Sequence, residues 1–442
     1  MTSKENFIKQ NSFGFKPEMG HLTPTVAFTS YWRFIHERHQ IFLRRLAAQP
    51  APWTQDRILA EYKFTNVFRV LDTESQSCAK IANSPLSAIS TEGALFRILL
   101  FKIYNLTSTW NLLCNELGEE PQLSNWNPDR YGHILCAEQA RGKKIFSSAY
   151  MMFAERSLKG PGSKIRMWLE TLDRMMRADL SARMVKGGSL EEAVRLLSGY
   201  RGIDDFTGQQ YATDFSHTPW FRPEDADAFI LPGPGSIDGI AKCFNHRYPV
   251  RECSDIIRLM RDRAHELSMQ VTGCLPPTLP GIDRPMDLID FQSGFCECDK
   301  YSRDAHPQLN HLAKQGRTKI KTAYRVPAGT LKPLPPPVYP LHWYPAIFSG
   351  RCPGLGGGVT LLGCSEILAP RGPGRSAVFP QEEKPPYNLP KLQERWFQIM
   401  DDERWYVFEP IWNHPMRWLL GLIVGKHQSY PLKSVALRHP LI

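Results

Sequence analysis

Most of the short signatures that announce an enzyme are missing from these 442 residues. No GxxxxGK[ST] stretch occurs: "ARGKKIF" and "VGKHQ" lack the upstream glycine and the hydroxyl that a phosphate-cradling loop needs. GxSxG and HExxH are absent too, which removes the nucleophile elbow and the paired-histidine zinc helix. The 10 cysteines are scattered, with Cys296 and Cys298 the only close pair and no CxxC. That spacing excludes a disulfide framework and offers no metal-ligand set, so the expectation is reduced, mostly buried thiols in an intracellular protein. The opening "MTSKENFIKQNSFGFKPEMG" is polar, unlike a secretory signal. The longest apolar run near the end, "WLLGLIVG", is far too short for a membrane-spanning helix. Strand-like alternation is scarce and no repeat period is visible.

What the chain does have is positive charge and helical periodicity. The net charge is +10, with an apolar fraction of 42%; the pI is near 9.1 and the mean hydropathy is −0.35. This balance suits a polyanionic partner, although many basic proteins have none. Residues 1–26 read as a flexible leader. From 27 the pattern predicts an all-α domain: "TQDRILAEYKFTNVFRVLD" starting at a Thr54 cap, "GALFRILLFKIYNLTSTWNLLCNEL" breaking near Asn105, then "GSKIRMWLETLDRMMRADLSARMV", "SLEEAVRLLSGY" and "VRECSDIIRLMRDRAHELSMQV". After the basic connector "HPQLNHLAKQGRTKIKTAYRV", residues 328–442 turn proline- and glycine-rich and read as a poorly ordered tail.

Several stretches carry charge where a core is expected. In "YWRFIHERHQIFLRR", Tyr31, Trp32, Phe34, Ile35, Ile41, Phe42 and Leu46 share a broad apolar face, and Arg33, Glu37 and Arg44 lie opposite. Arg38 and Arg45 point from the middle of the apolar face, where an unpaired guanidinium costs several kcal/mol. They require carboxylates of the chain or anionic groups of a ligand. In "YKFTNVFR" the apolar stripe of Phe64, Val67, Phe68 and Leu71 is flanked by Thr65, Asn66, Arg69 and Asp72; Asn and Arg can meet base edges or phosphates, or form a polar network with Arg69 on Asp72. Gln210 and Asp214 sit at i and i+4, and Asp214 is either a general base or a partner for the arginines. "ILPGPGSIDGIAKCF" places Gly233 and Gly235 in a corner before a helix, a ready anion site or an ordinary helix-to-helix turn. In "FCECDKYSR", Glu297, Lys300 and Tyr301 share a helical face, and a local Glu297–Lys300 pair is the simplest use of it.

Read in order, "ERHQIFLRR", "PWTQDRILAEYKFTNVFRVLD", "FRILLFKIYN", "DDFTGQQYATD", "LPGPGSIDGIAK" and "FCECDKYSR" resemble the helical domain of the phage 5-hydroxymethyluracil DNA kinases. Relatives of that family are predicted alpha-glutamyl/putrescinyl-thymine pyrophosphorylases. The resemblance spans residues 27–327 and implies a helical domain similar to DNA glycosylases, with a helix-hairpin-helix-like element, working on hypermodified thymine in DNA. Carried over by position, it singles out Arg38, Arg45, Asn66, Arg69 and Asp214 as the candidate catalytic set. Arg44, Lys63, Gly233, Gly235, Lys242, Lys300 and Arg303 are the candidate DNA-binding set. Trp53, Thr54, Asp56, Asp72, Gln210, Gly239 and Glu297 also match. No metal ligand is assigned. The implied partners are DNA and other base-modification enzymes, with no membrane. ATP and magnesium would be the co-reactants of a kinase, and the location would be the nucleus of a eukaryote or the cytoplasm of a phage-infected or bacterial cell. The missing phosphate loop is the one departure from a P-loop kinase.

Three functions fit: phosphorylation of the hydroxymethyl group in DNA, DNA binding without turnover, and glycosylase-like cleavage or exchange at a modified base with Asp214 as the carboxylate.

Overall fold

The computed structural model describes residues 22–147, 160–314, 316–324 and 334–344, together with four C-terminal strands at 397–401, 404–410, 420–426 and 435–437. Up to residue 344 its regular elements are helical. In chain order they are α1 (Val26–Leu46), α2 (Arg57–Glu61), α3 (Thr73–Ala82), α4 (Pro85–Ala88), α5 (Thr91–Tyr104), α6 (Thr107–Leu117) and α7 (Pro128–Ala140). There follow α8 (Ser163–Arg177), α9 (Leu180–Gly187), α10 (Leu190–Ser198), α11 (Asp205–Phe215), α12 (Pro234–Phe244), α13 (Val250–Asp262), α14 (Ala264–Thr272) and α15 (Leu288–Ala305). Among the described residues no helix is long and apolar enough to cross a membrane.

The helices build two cores. One is contiguous in sequence, running from Cys78 to Phe221 around α5, whose residues from Ala94 to Tyr104 are all buried. The other joins the two flanks of that insert: α1 and Val67–Leu71 from the front, and α12, α13, α14 and α15 from behind. The break expected near Asn105 is there, with Asn105 in the left-handed region (φ 45°) between α5 and α6. The helix expected from Thr54 through Asp72 is not. Asp56, not Thr54, caps α2 by accepting the Leu59 N–H at 2.9 Å. The chain then runs extended, pairing Tyr62 with Ala323 and donating Lys63 N to Thr322 O at 3.0 Å. A short 3-10 turn, Arg69–Leu71, follows. The apolar stripe is still buried at Val67, Phe68 and Leu71, because tertiary pairing satisfies backbone groups that a helix would otherwise have used.

Leu22 and Thr25 are buried, and Thr25 caps α1 while its hydroxyl donates to Lys242 O at 2.6 Å, so the packed region starts before residue 26. At the other end, Tyr339 is buried in the second core and its carbonyl accepts from Asn83 Nδ2 at 2.7 Å, so packing continues past 328. Phe397–Asp401, Arg404–Pro410, Leu420–Lys426 and Val435–Leu437 form an antiparallel sheet in sequence order, from segments rich in aromatic and β-branched residues. The glycine- and proline-rich stretch 350–386 lies outside the described residues, as do residues 1–21.

Packing of α12 on α15 explains one glycine. A Cβ at Gly239 would fall 2.0 Å from the Phe295 carbonyl oxygen, which is backbone and cannot swing away. Gly239→Ala is therefore expected to cost about 1–3 kcal/mol or more by forcing the helices apart. A thermal melt checks this, and an unchanged midpoint would contradict so close an approach.

Candidate functional site

Arg38 leaves the buried face of α1 and remains 8% exposed. Its Nη2 donates to Phe64 O at 3.2 Å and to Asn66 Oδ1 at 2.8 Å. Both acceptors are neutral, and Nη1 is buried with no hydrogen-bond partner among the described residues. Burial lowers the guanidinium's pKa; Asp72 and Glu297 oppose this from nearby, and Arg45 adds to it. Asn66 is fully committed to holding this arrangement, since its Nδ2 donates to Leu71 O at 2.7 Å. Its amide is therefore turned away from the base-edge role that its sequence position suggests.

Asp72 closes the cluster. It precedes α3 but does not cap it; its Oδ1 turns back to accept the Asn66 N–H at 2.7 Å. Burial pushes its pKa up to about 6, against the pull of the Asn66 N–H and Arg38. Half-buried beside a guanidinium, the carboxyl is poised to exchange a proton near neutral pH. The turn that carries it is pinned from α15, where Asp290 accepts Arg69 N at 2.8 Å. Burial and Asp287 raise the Asp290 carboxyl to about 7.

Arg69 and Asp214 meet directly, joining the two cores. Arg69 Nη1 and Nη2 reach the two Asp214 oxygens at 2.7 and 2.8 Å, and Lys102 Nζ of α5 reaches Oδ2 at 2.9 Å. Burial alone would raise the Asp214 carboxyl, but Arg69, Lys102 and the Arg69 hydrogen bonds outweigh it and hold the pKa far below the usual range. A carboxylate so clamped is a weak base and has no oxygen to spare for a substrate proton. His217, 3.8 Å from Asp214, is lowered to about 4 by burial and is neutral at pH 7. The alternative of Arg69 bonding Asp72 is replaced by this longer-range pair.

The other candidates are dispersed. Arg45 lies over the Trp53 ring, 5.2 Å from its centre, and does not join Asn66 or Asp214. Arg44 bonds Glu37 Oε1 at 3.1 Å and the Trp53 carbonyl. Lys242 is a correction: it is 0% exposed, held by Asp299 Oδ1 at 2.8 Å and Asn310 Oδ1 at 2.8 Å, and cannot touch DNA. Arg303 takes the other Asp299 oxygen at 2.5 Å. Lys300 bonds the Lys63 carbonyl, pairs with Glu297 Oε2 at 3.3 Å and sits over the Phe64 ring, while Lys63 itself is exposed. The corner at Gly233 and Gly235 opens α12, but α11 ends well before it, at Phe215. A Cβ on Gly233 would lie 2.6 Å from the Phe206 ring and one on Gly235 2.5 Å from Cys296 Sγ, so a side chain at either position would have to displace that neighbour.

Sequence reasoning passed over Lys102, although "LLFKIY" carries the same signal as Arg38, a lone cation inside an apolar run. It also left Asp72 outside the catalytic set. Among the described residues no group of three or more His, Cys, Asp or Glu is placed to hold a metal ion. The sequence carries no phosphate loop of the GxxxxGK[ST] kind.

No curated protein and no solved structure matches this chain. A family model described as "5-hmdU DNA kinase, helical domain" matches residues 25–311. That span takes in α1 to α15, and with them the Arg38 cluster and the Arg69–Asp214–Lys102 unit that ties the two cores together, so the chain belongs to the 5-hmdU DNA kinase helical-domain family.

Proposed function

We propose that this chain binds DNA containing 5-hydroxymethyluracil and acts at the hydroxymethyl oxygen, with Arg38 and Asp72 facing the modified base. The observation that carries the reading is the buried Arg38 guanidinium, bonded only to neutral oxygens and keeping its Nη1 without an acceptor among the described residues, beside a carboxyl whose pKa is about 6. A pyrimidine carbonyl or hydroxymethyl oxygen is an acceptor of the right kind for that N–H. Asp72 would take the hydroxyl proton as the oxygen attacks the terminal phosphorus of a nucleoside triphosphate, whose bond to the bridging oxygen breaks so that the nucleoside diphosphate leaves, the part a carboxylate plays in protein kinases. Flipping the base would bring it within reach, as enzymes that work on bases commonly do. Asn66 positions Arg38, and the Arg69–Asp214–Lys102 unit fixes the turn that carries Asp72. Gly233 and Gly235 open α12, whose uncapped N-terminus would receive a DNA phosphate.

The test is transfer of labelled phosphate from ATP to DNA with and without 5-hydroxymethyluracil, followed by nucleoside analysis. The base must be ionised to work, so activity should rise with pH through about 6 and level off above it. Asp72→Asn should lose about 10²–10⁴-fold and abolish that limb. Retention of the wild-type pH profile by this variant would remove Asp72 from the mechanism. Salt-sensitive DNA binding without turnover would favour a non-catalytic binding module, and abasic sites in the modified DNA a glycosylase-like enzyme.

A further inference from the structure

We infer that Lys314 and the segment 316–324, with Lys63 beside them, are a track for the phosphate backbone of duplex DNA. It begins after the family match ends at residue 311. The inference rests on DNA being the substrate but not on which base is modified or what is done to it.

Lys314, Arg317, Lys319, Lys321 and Lys63 are all exposed and, among the described residues, none makes an ion pair. The reason lies in the neighbouring carboxylates, each of which is already taken. Glu61 and Asp304 bind Arg57. Glu297 binds Lys300, Asp299 binds Lys242 and Arg303, and Asp238 binds Arg247. Five cations are thus left uncompensated on one strip, in a chain whose total net charge is +10.

The strip is also anchored. Lys63 N donates to Thr322 O at 3.0 Å and Tyr324 N to Glu61 O at 2.7 Å. Asp238 accepts Lys314 N at 3.0 Å, and Arg303 Nη1 reaches Lys319 O at 3.4 Å. Between the exposed Lys319 and Lys321, Ile320 is half-buried and turns the strip's apolar side to the protein. The strip also borders the candidate site, because Lys63 directly precedes Phe64, whose carbonyl binds Arg38. A backbone held here would deliver its bases toward Arg38 and Asp72. The cations read no base edge, so they would position any sequence alike.

The experiment measures binding of an unmodified duplex to the full chain by fluorescence anisotropy across a salt series. The variant is Arg317→Ala with Lys319→Ala and Lys321→Ala, three exposed positions whose truncation leaves the core intact. The slope of log affinity against log salt should shrink by about 0.9 for each phosphate that the variant no longer neutralises. A control with Arg183→Ala and Lys186→Ala, exposed on α9 of the first core, should keep the wild-type slope. An unchanged slope in the triple variant overturns the track. So does failure of the wild-type chain to bind duplex DNA, or a weakening seen with single-stranded RNA and not with the duplex. Because the duplex carries no modified base, absence of phosphate transfer would count against the proposed activity and leave this result standing.

Discussion

Asp214→Asn is expected to destabilise the protein by about 3–5 kcal/mol, the usual cost of removing one member of a buried ionic group. The carboxylate is 1% exposed and neutralises two cations, Arg69 and Lys102, that cannot reach water in its absence. An amide would replace charge–charge attraction with a weak dipole and turn one N–H toward donors. The triple change Asp214→Leu, Arg69→Met and Lys102→Met should recover most of the loss, since apolar residues of similar volume often substitute for a buried ionic cluster without penalty. Urea denaturation of the two variants decides the matter; a loss below about 1 kcal/mol in Asp214→Asn would mean that the three charges do not act as a unit. The pH dependence has a definite sign. The folded-state pKa of Asp214 is depressed, so its stabilisation is fully present above the unfolded value of about 3.9 and is lost as pH falls below it. Asp72 and Asp290 are raised, to about 6 and about 7, so they work in the opposite sense. Folding then favours their protonated forms, so their contribution grows as pH falls through about 7 and about 6, while the buried His39 and His217, lowered to about 4, oppose it below about 6.5 because the unfolded imidazoles protonate first.

Arg38→Met should separate stability from function. The guanidinium is desolvated without a carboxylate ion pair, and burial of such an ion costs several kcal/mol. Its bonds to Phe64 O and Asn66 Oδ1 return about 1.5–3 kcal/mol each. The two effects nearly cancel, so the methionine variant should melt close to the wild type, within about 1 kcal/mol of stability. Activity on 5-hydroxymethyluracil DNA, by contrast, should fall on the order of 10²-fold or more, as expected for removal of one preorganised donor. Arg38→Lys should also lose activity, since a single ammonium cannot hold Asn66 Oδ1 and Phe64 O while presenting a further N–H in the same plane. A large drop in melting temperature with activity per folded molecule retained would make Arg38 purely structural.

Local pattern in the sequence determined more about this protein than its missing motifs suggested. Periodicity along α1 marked Arg38 as an inward cation, the run around Asn105 marked the break between α5 and α6, and the ordered set of short stretches marked the family. Each of these depends on residues within a few turns of one another, where helical geometry fixes who is neighbour to whom. Only the tertiary structure decided the rest. Arg69 could bond Asp72 by proximity in sequence, yet it bonds Asp214, 145 positions away, because α11 brings a carboxylate that Lys102 also needs. Lys242 belongs to the DNA-binding candidates by position, yet packing of α12 against α15 seals it against Asp299. Gly233 and Gly235 read as a corner before a helix, either an anion site or an ordinary turn; only the fold shows that the Phe206 ring and Cys296 Sγ lie where their side chains would be, and the Phe295 carbonyl where that of Gly239 would be. Segments far apart in sequence meet in one core, and desolvation there makes each buried charge seek whichever partner packing delivers; no local pattern records that choice.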